Sequence, residues 1–393
     1  MVGSGMVYLD HNANSPLRPS ARRAMDDALG VCGNASSVHA PGRAARAKIE
    51  AAREQVARLA GAPTSSVVFT SGGSEANTLA LKGAVAGALA AEDRLTRLFV
   101  CAVEHESVRA NAAALAETIP GLKHNEIPVT KDGLVDVGAL RLALMQGKGR
   151  PLVSVMAANN ETGVVQDIAA IAKLVKCEGG EDALLHVDAV QAVGRIALSF
   201  SALGADYMTL SAHKLGGPQG AGALIVRDGA PFAPLIAGGG QELGRRAGTE
   251  NVAAIAGFGA AAQETRDFAD AGARIQALRD RFETKLKELA PDAVIFGENV
   301  QRLPNTSNFA VPGLTAESAL IALDLDGVAV SSGSACSSGK VKPSHVLSAM
   351  GVDENLARSG IRVSFGWSSR EEDVDAVIAS LRKLVARRAA LAA

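Results

Sequence analysis

Short β-branched runs alternate along most of this chain with longer alanine-rich stretches, and that alternation limits the possible folds more than any other feature. Ser65–Thr70, Leu98–Val103, Leu152–Ala157, Leu184–Asp188, Tyr207–Leu210 and Ala223–Val226 read as strands. Helical pattern separates most of them, opening at Ser74 and near Ser107 and running over Asp167–Cys177. Strands apolar on both faces, with helices between them, predict an α/β fold with a mainly parallel sheet, because crossover helices cover both faces. Arg43–Leu59 carries apolar residues at three-to-four spacing among charges and predicts a surface helix.

From about Phe268 the character changes. A long charged helix over Arg274–Leu289, strand-like segments at Asn308–Val311 and Ile361–Phe365, and a closing helix from Glu371 predict a smaller α+β domain. A length of 393 residues accommodates one large domain with such a satellite. Lys and Arg number 40 against 41 Asp and Glu, so the chain lacks the basic excess that nucleic acid or an anionic membrane would favour. Four cysteines cannot staple a chain this long and point to a reducing compartment. The first residues show no basic region followed by an apolar run. The longest apolar stretch, near Val252–Ala262, is too short to span a bilayer. The expectation is a cytoplasmic protein with no nucleic-acid or membrane partner.

Four segments suggest chemistry. Ser71-Gly72-Gly73-Ser74-Glu75-Ala76 follows a strand and opens a helix, where backbone N–H groups and the helix dipole favour an anion; the alternative is an ordinary turn with Ser74 as N-cap. Asp188, ending an apolar strand within His186-Val187-Asp188-Ala189-Val190-Gln191, is placed to keep a heteroaromatic nitrogen protonated, or to cap the following helix. Lys214, in Ser211-Ala212-His213-Lys214 before Leu215-Gly216-Gly217-Pro218, is a candidate Schiff-base lysine, or a solvated charge. Cys336 sits in a run of Ser, Gly and Ala that cannot pack a core, which predicts a mobile loop bearing an exposed thiol. Cys101, inside its strand, reads as a small buried hydrophobe. Cys32 and Cys177 receive no role, no spacing suggests zinc, and no Gly-x-Gly-x-x-Gly opens a helix after the first strand.

Together these strings resemble the cysteine desulfurases of the class V aminotransferase family. The resemblance extends through Tyr8-Leu9-Asp10-His11-Asn12-Ala13, Gly33–Ser37, Phe69–Asn77, Glu104–Val108, Asn159-Asn160-Glu161-Thr162-Gly163, His186–Gln191 and Ser211–Gly222. It continues through Gly238–Glu242, Gly248–Asn251, Ser331–Gly339 and Ser344–Leu347, covering nearly the whole chain in the family's order. It implies the fold type I of pyridoxal-phosphate (PLP) enzymes. A large PLP-binding domain would span 15–260; residues 1–14 and 261–393 would form a small domain with the catalytic-cysteine loop at about 328–343.

Residue by residue, it implies Lys214 as Schiff-base lysine and base, Asp188 on the pyridinium nitrogen, Gln191 on the ring's phenolic oxygen, and His105 stacked on the ring as a catalytic residue that also shuttles protons. Gly73, Ser74, Ser211 and His213 would hold the phosphate, and Thr249 would reach the phosphate site of the other subunit of a homodimer. Asn160 would contact cofactor and substrate, Asn12 the substrate, and Arg362 would clamp the substrate carboxylate; without the resemblance, Arg362 reads as an edge-strand arginine facing water. Cys336 would take sulfur from L-cysteine as a persulfide, leaving L-alanine, and pass it to an iron–sulfur scaffold or another acceptor. No resident metal is expected, though the same thiol can ligate a cluster in transit. The form Ser-Ser-Gly-Ser-Ala-Cys resembles the desulfurases of general or nitrogenase iron–sulfur assembly.

His11 and Asn14 depart from the usual N-terminal string and are expected to alter the pocket rim. Gly73-Ser74 replaces the more usual Gly-Thr or Ala-Thr while keeping a hydroxyl. The competing functions are a selenocysteine lyase, an aminotransferase of the same class, which needs no loop thiol, and a non-catalytic assembly scaffold.

Overall fold

The computed structural model describes residues 6–265, 268–332 and 343–392. Twelve strands fall in chain order: β1 Val7–Tyr8, β2 Val67–Thr70, β3 Leu95–Cys101, β4 Lys123–Ile127, β5 Arg150–Met156, β6 Leu184–Asp188, β7 Tyr207–Ser211, β8 Gly222–Val226, β9 Val294–Ile295, β10 Thr306–Ala310, β11 Val328–Ala329 and β12 Ile361–Ser364. Seven of them build one sheet in the order β2-β8-β7-β6-β5-β3-β4, in which only β8 runs against the rest. The α/β class and mainly parallel sheet match the alternation of the sequence.

The central strands β5 to β8 are buried along nearly their whole length, as strands covered by helices on both faces must be. Their few polar residues satisfy one another. Ser154 of β5 meets His186 Nδ1 of β6 at 2.8 Å, and His186 Nε2 meets Thr209 Oγ1 of β7 at 3.0 Å. Burial drives the His186 pKa down to about 4, so the ring is a neutral cross-strand link beneath Asp188.

The apolar stretch near Val252–Ala262 falls in the helix Val252–Thr265, which lies against the helices Pro19–Leu29 and Ala40–Ala60. Gly259 permits that approach: a Cβ there would stand 2.6 Å from Ala52 Cα. Among the described residues no helix is long and apolar enough to cross a membrane. The segment before it is tied to the sheet by Glu242, a buried carboxylate in left-handed backbone (φ 48°). Glu242 accepts from Arg53 Nη1 and Nη2 at 2.7 and 2.9 Å and from Phe69 N–H at 2.8 Å.

A second apolar cluster joins Leu9, Phe282, Phe309, Phe365, Val374 and Leu381 around the antiparallel sheet β12-β10-β9, with β1 and β11 paired in parallel nearby. The helices Phe268–Leu289 and Glu371–Ala392 belong to this part. Val346, Leu347, Met350 and Ala357 pack instead into the large sheet's core.

Candidate active site

In an open parallel sheet, loops leaving the carboxyl ends of the strands part at a reversal of strand order and leave a crevice there. Here β2, β3, β5, β6 and β7 deliver the residues after them to one cavity of about 360 Å³. Its lining includes Asn12, Gly73, Ser74, Asn77, His105, Asn160, Asp188, Gln191, Ser211, His213, Lys214 and Arg362. Two residues singled out in the sequence are not in this set. Thr249 is exposed outside the cavity, and Cys336, with most of the loop at 328–343, lies outside the described residues.

Lys214 ends a single turn of 3-10 helix, Ala212–Lys214, directly after β7. Its Nζ donates to the carbonyls of Asn12 at 2.7 Å and Ala13 at 2.8 Å, both on the N-terminal turn that closes this side of the cavity. Burial lowers its pKa to about 7; the nearby Arg362 and Arg195 push the same way, and Asp10 and Asp188 oppose them. The solvated-charge alternative is therefore overturned. A half-buried amine that is substantially neutral at physiological pH can act as nucleophile and base.

Asp188 accepts from Asn77 Nδ2 at 2.8 Å and from Val190 N–H at 3.0 Å on the cavity wall; turns and not a helix follow β6, so Asp188 braces a turn and the helix-capping alternative fails. Gln191 donates from Nε2 to the Asn12 carbonyl at 3.0 Å, and its Oε1 accepts from Arg195.

One end of the cavity is suited to an anion. The helix Gly73–Ala90 begins with no side-chain cap, so Ser74 is a second helical residue and not the N-cap of the alternative reading. Ser211 Oγ is buried and has no hydrogen-bond partner. Small residues bring the backbone this close: a Cβ on Gly222 would stand 2.5 Å from the Gly72 carbonyl carbon. A second hollow of about 320 Å³ adjoins this end, lined by Gly72, Gly73, Ser74, Ser211, His213, Asn14 and Gln219 among others. Asn14 meets His213 Nδ1 at 3.1 Å. Burial, Lys214 and Arg195 hold the His213 pKa down near 4, so its ring is neutral. Asn14 therefore does touch the site. His11 does not line the main cavity; it is buried behind it, with Nδ1 3.0 Å from Ser15 Oγ and a pKa lowered by burial to about 3.

His105 is both N-cap and cavity wall. Its Nδ1 accepts from Ser107 N–H at 3.1 Å, which in the neutral ring assigns the proton to Nε2. Asn12 enters the site largely as scaffold: its side chain is spent on the Asn160 carbonyl, Thr306 and Asn305. Asn159, just before Asn160, closes its turn by accepting from the N–H groups of Glu161 and Thr162 at 2.9 Å each.

Arg362 lies on β12, which is an edge strand, but its side chain is only 4 % exposed, which overturns the water-facing alternative. Its Nη2 donates to Asp10 Oδ1 at 2.6 Å and its Nη1 to the Asn160 carbonyl at 3.0 Å; its Nε is buried with no partner. Arg362 thus lines the cavity while keeping one guanidinium donor unanswered. The sequence alone did not mark Asp10, Asn77 or Arg195 for these positions. Cys101 is buried, as its place in an apolar strand predicts, and its thiol pKa is pushed up by burial. Among the described residues no group of three or more His, Cys, Asp or Glu could hold a metal ion.

A parallel sheet whose carboxyl ends gather a half-buried lysine, a braced aspartate and an uncapped helix N-terminus defines a lysine-centred α/β enzyme fold. The aminotransferase class-V profile matches residues 7–377. The chain is 43 % identical over 392 residues to an IscS-like cysteine desulfurase of Mycobacterium tuberculosis, covering 99 % of each. It is 41 % identical over 381 residues to the cysteine desulfurase IscS of Dictyoglomus turgidum, covering 96 % of this chain and 94 % of that one. The crystal structure of a NifS-like protein from Rickettsia africae superposes with a TM-score of 0.86 at 38 % identity, over 96 % of this chain and 99 % of the other. The chain belongs to the class-V aminotransferase family, in its cysteine desulfurase group.

Proposed function

We propose that the protein is a PLP-dependent cysteine desulfurase, converting L-cysteine to L-alanine with the sulfur carried as a persulfide on Cys336. The observation that carries this reading is the convergence on one cavity lysine of groups suited to each part of PLP and to a substrate carboxylate. The unpartnered Ser211 hydroxyl and the uncapped N-terminus of the helix Gly73–Ala90 suit a phosphate, with Gly73, Ser74 and His213 beside them. Asp188 suits a protonated ring nitrogen, Gln191 a ring oxygen, His105 and Asn160 the ring surroundings, and Lys214 the aldehyde carbon. When bound, PLP supplies an electron sink for negative charge at the substrate Cα.

The chain's own residues do the rest. The open edge of Arg362 receives the substrate carboxylate, and Asn160 and Asn12 shape the floor beneath it. Lys214, largely unprotonated above pH 7, removes the Cα proton and returns one. The Cys336 thiolate attacks the substrate sulfur, so that an S–S bond forms as the C–S bond breaks. L-Cysteine and the Cys336 thiol become L-alanine and the Cys336 persulfide, with no external oxidant or reductant.

Chain geometry supports that assignment of the thiol. Ser331 lines the cavity, and Cys336 comes five residues later (336 − 331 = 5), a tether of at most about 17 Å. On the far side, Ser344 donates to Glu161 Oε2 at 2.5 Å and His345 Nε2 to the Glu104 carbonyl at 3.0 Å. In this reading the protein acts as a cytoplasmic homodimer, with exposed Thr249 reaching the partner's phosphate site and an iron–sulfur scaffold or another protein accepting the sulfur.

Purified protein supplied with PLP is expected to take up one PLP per chain with a visible absorption band, and to release alanine and, under a thiol reductant, sulfide in equal amounts from L-cysteine. Amino-group transfer to a keto acid without alanine formation from L-cysteine would overturn the reading.

A further inference from the structure

Arg195 stands behind Gln191, outside the lining of the main cavity, and the reaction above does not use it. The turn that bears it comes after β6 and Asp188, and Gly194 reverses the chain in left-handed backbone (φ 74°), where a Cβ would stand 2.8 Å from Leu215 Cδ2. The guanidinium has no carboxylate partner among the described residues. It donates to Gln191 Oε1, to the Gln191 carbonyl at 3.2 Å, and at longer range to the carbonyls of Lys214 at 3.4 Å and His11 at 3.5 Å. Arg195 is half-buried, partial enclosure of a guanidinium without a counter-charge carries a cost, and Gln191 Oε1 is the partner it holds most tightly.

We propose that Arg195 is a positioning residue that locks the Gln191 amide with its NH2 toward the cavity, so that Gln191 can only donate to the ring oxygen of bound PLP. The proposal rests on the PLP reading above. Chemistry dictates the orientation of the amide. A guanidinium has donors and no acceptor, so the Gln191 oxygen must face Arg195. The Asn12 carbonyl, at the amide's other end, can only accept, so the nitrogen must face Asn12, 3.0 Å away. One Nε2 hydrogen is spent there, and the other is what Gln191 offers the cavity. Without Arg195, only the Asn12 carbonyl opposes an amide flip that would aim a lone pair at a ring oxygen. Arginine suits the task better than lysine, because its planar fork engages the Gln191 side chain while its other nitrogen spans two segments.

The test is a double-mutant cycle on the full-length holoenzyme, reading the PLP dissociation constant from the visible band together with turnover. Arg195→Met is expected to weaken PLP binding about tenfold or more, the scale of one lost charge-assisted hydrogen bond. Arg195→Lys, which still donates, is expected to recover most of that loss. In a Gln191→Leu background Arg195→Met should change PLP binding by less than about twofold, because there is no amide left to orient. An equal loss in both backgrounds, or none with Gln191 present, would overturn the proposal. Should Arg195→Met fail to fold, Arg195→Gln enters the same cycle, since its amide presents either polarity and dictates none. A wild-type protein that takes up no PLP would instead remove the functional reading and leave the Arg195–Gln191 contact as simple bracing.

Discussion

Replacing Lys214 with alanine is expected to lower L-cysteine turnover by about 10²–10⁴-fold through loss of the base alone, and further through loss of the covalent hold on PLP. The variant should still bind PLP through the groups around Ser211 and Asp188, but release it on gel filtration, where the wild-type protein retains it. The Lys214 pKa of about 7 in the folded protein sets two pH dependences. Covalent capture of PLP by the PLP-free protein should accelerate as pH rises through about 7, because only the neutral amine adds to an aldehyde. The second concerns stability. An unfolded lysine titrates near 10.4, so between about 7 and that value the unfolded chain binds more protons than the folded one, and this locus gains stability as pH rises. PLP-free Lys214→Ala should therefore exceed the wild type in urea resistance most clearly at or below pH 7 and lose that advantage toward pH 10. An advantage that grows with pH would contradict the depressed amine.

Arg362→Ala is expected to act on substrate more than on cofactor. The KM for L-cysteine should rise about 10- to 100-fold, the scale of losing a charged bidentate partner, while PLP uptake stays close to wild type. Arg362→Lys should recover little of this, because one ammonium cannot reproduce a fork whose Nη2 holds Asp10, whose Nη1 holds the Asn160 carbonyl and whose Nε stays open. Equal losses of PLP affinity and substrate affinity would mean that Arg362 mainly holds the fold together at β12.

The physics that makes some of this legible in the sequence explains what escapes it. The strands β5 and β6 announce themselves because both faces are buried and most of their side chains are apolar. The sheet's outer strand β4 is Lys123-His124-Asn125-Glu126-Ile127, largely exposed, so it carries no apolar signal; charged edges of this kind also protect a sheet from pairing with other chains. The apolar pattern starts β3 at Leu98, whereas the strand begins at Leu95, because Arg97 interrupts the apolar run. In the structure that arginine is buried at a register shift, donating to the carbonyls of Gly149 and Leu144. The two-residue strands β1, β9 and β11 are too short to show a period.

The same contrast holds at the site. Lys214, Asp188, Ser211 and the Ser71–Ser74 turn stand at strand ends with small neighbours, a local pattern that a sequence displays. Asp10 against Arg362, and the Asn12 carbonyl against Lys214, are contacts across 352 and 202 residues. No spacing rule reaches that far. Nothing in the residues beside Arg195 marks its side chain as turned back onto Gln191, and its remaining contacts, the carbonyls of His11 and Lys214, come from segments 184 and 19 residues away.

The most direct measurement is the intact mass and peptide map of the holoenzyme after anaerobic incubation with L-cysteine and no reductant. One added sulfur on Cys336, with alanine in equal amount in the supernatant and neither in Cys336→Ser, is the predicted result. A PLP-loaded protein that forms no alanine and leaves Cys336 unmodified would contradict the assignment.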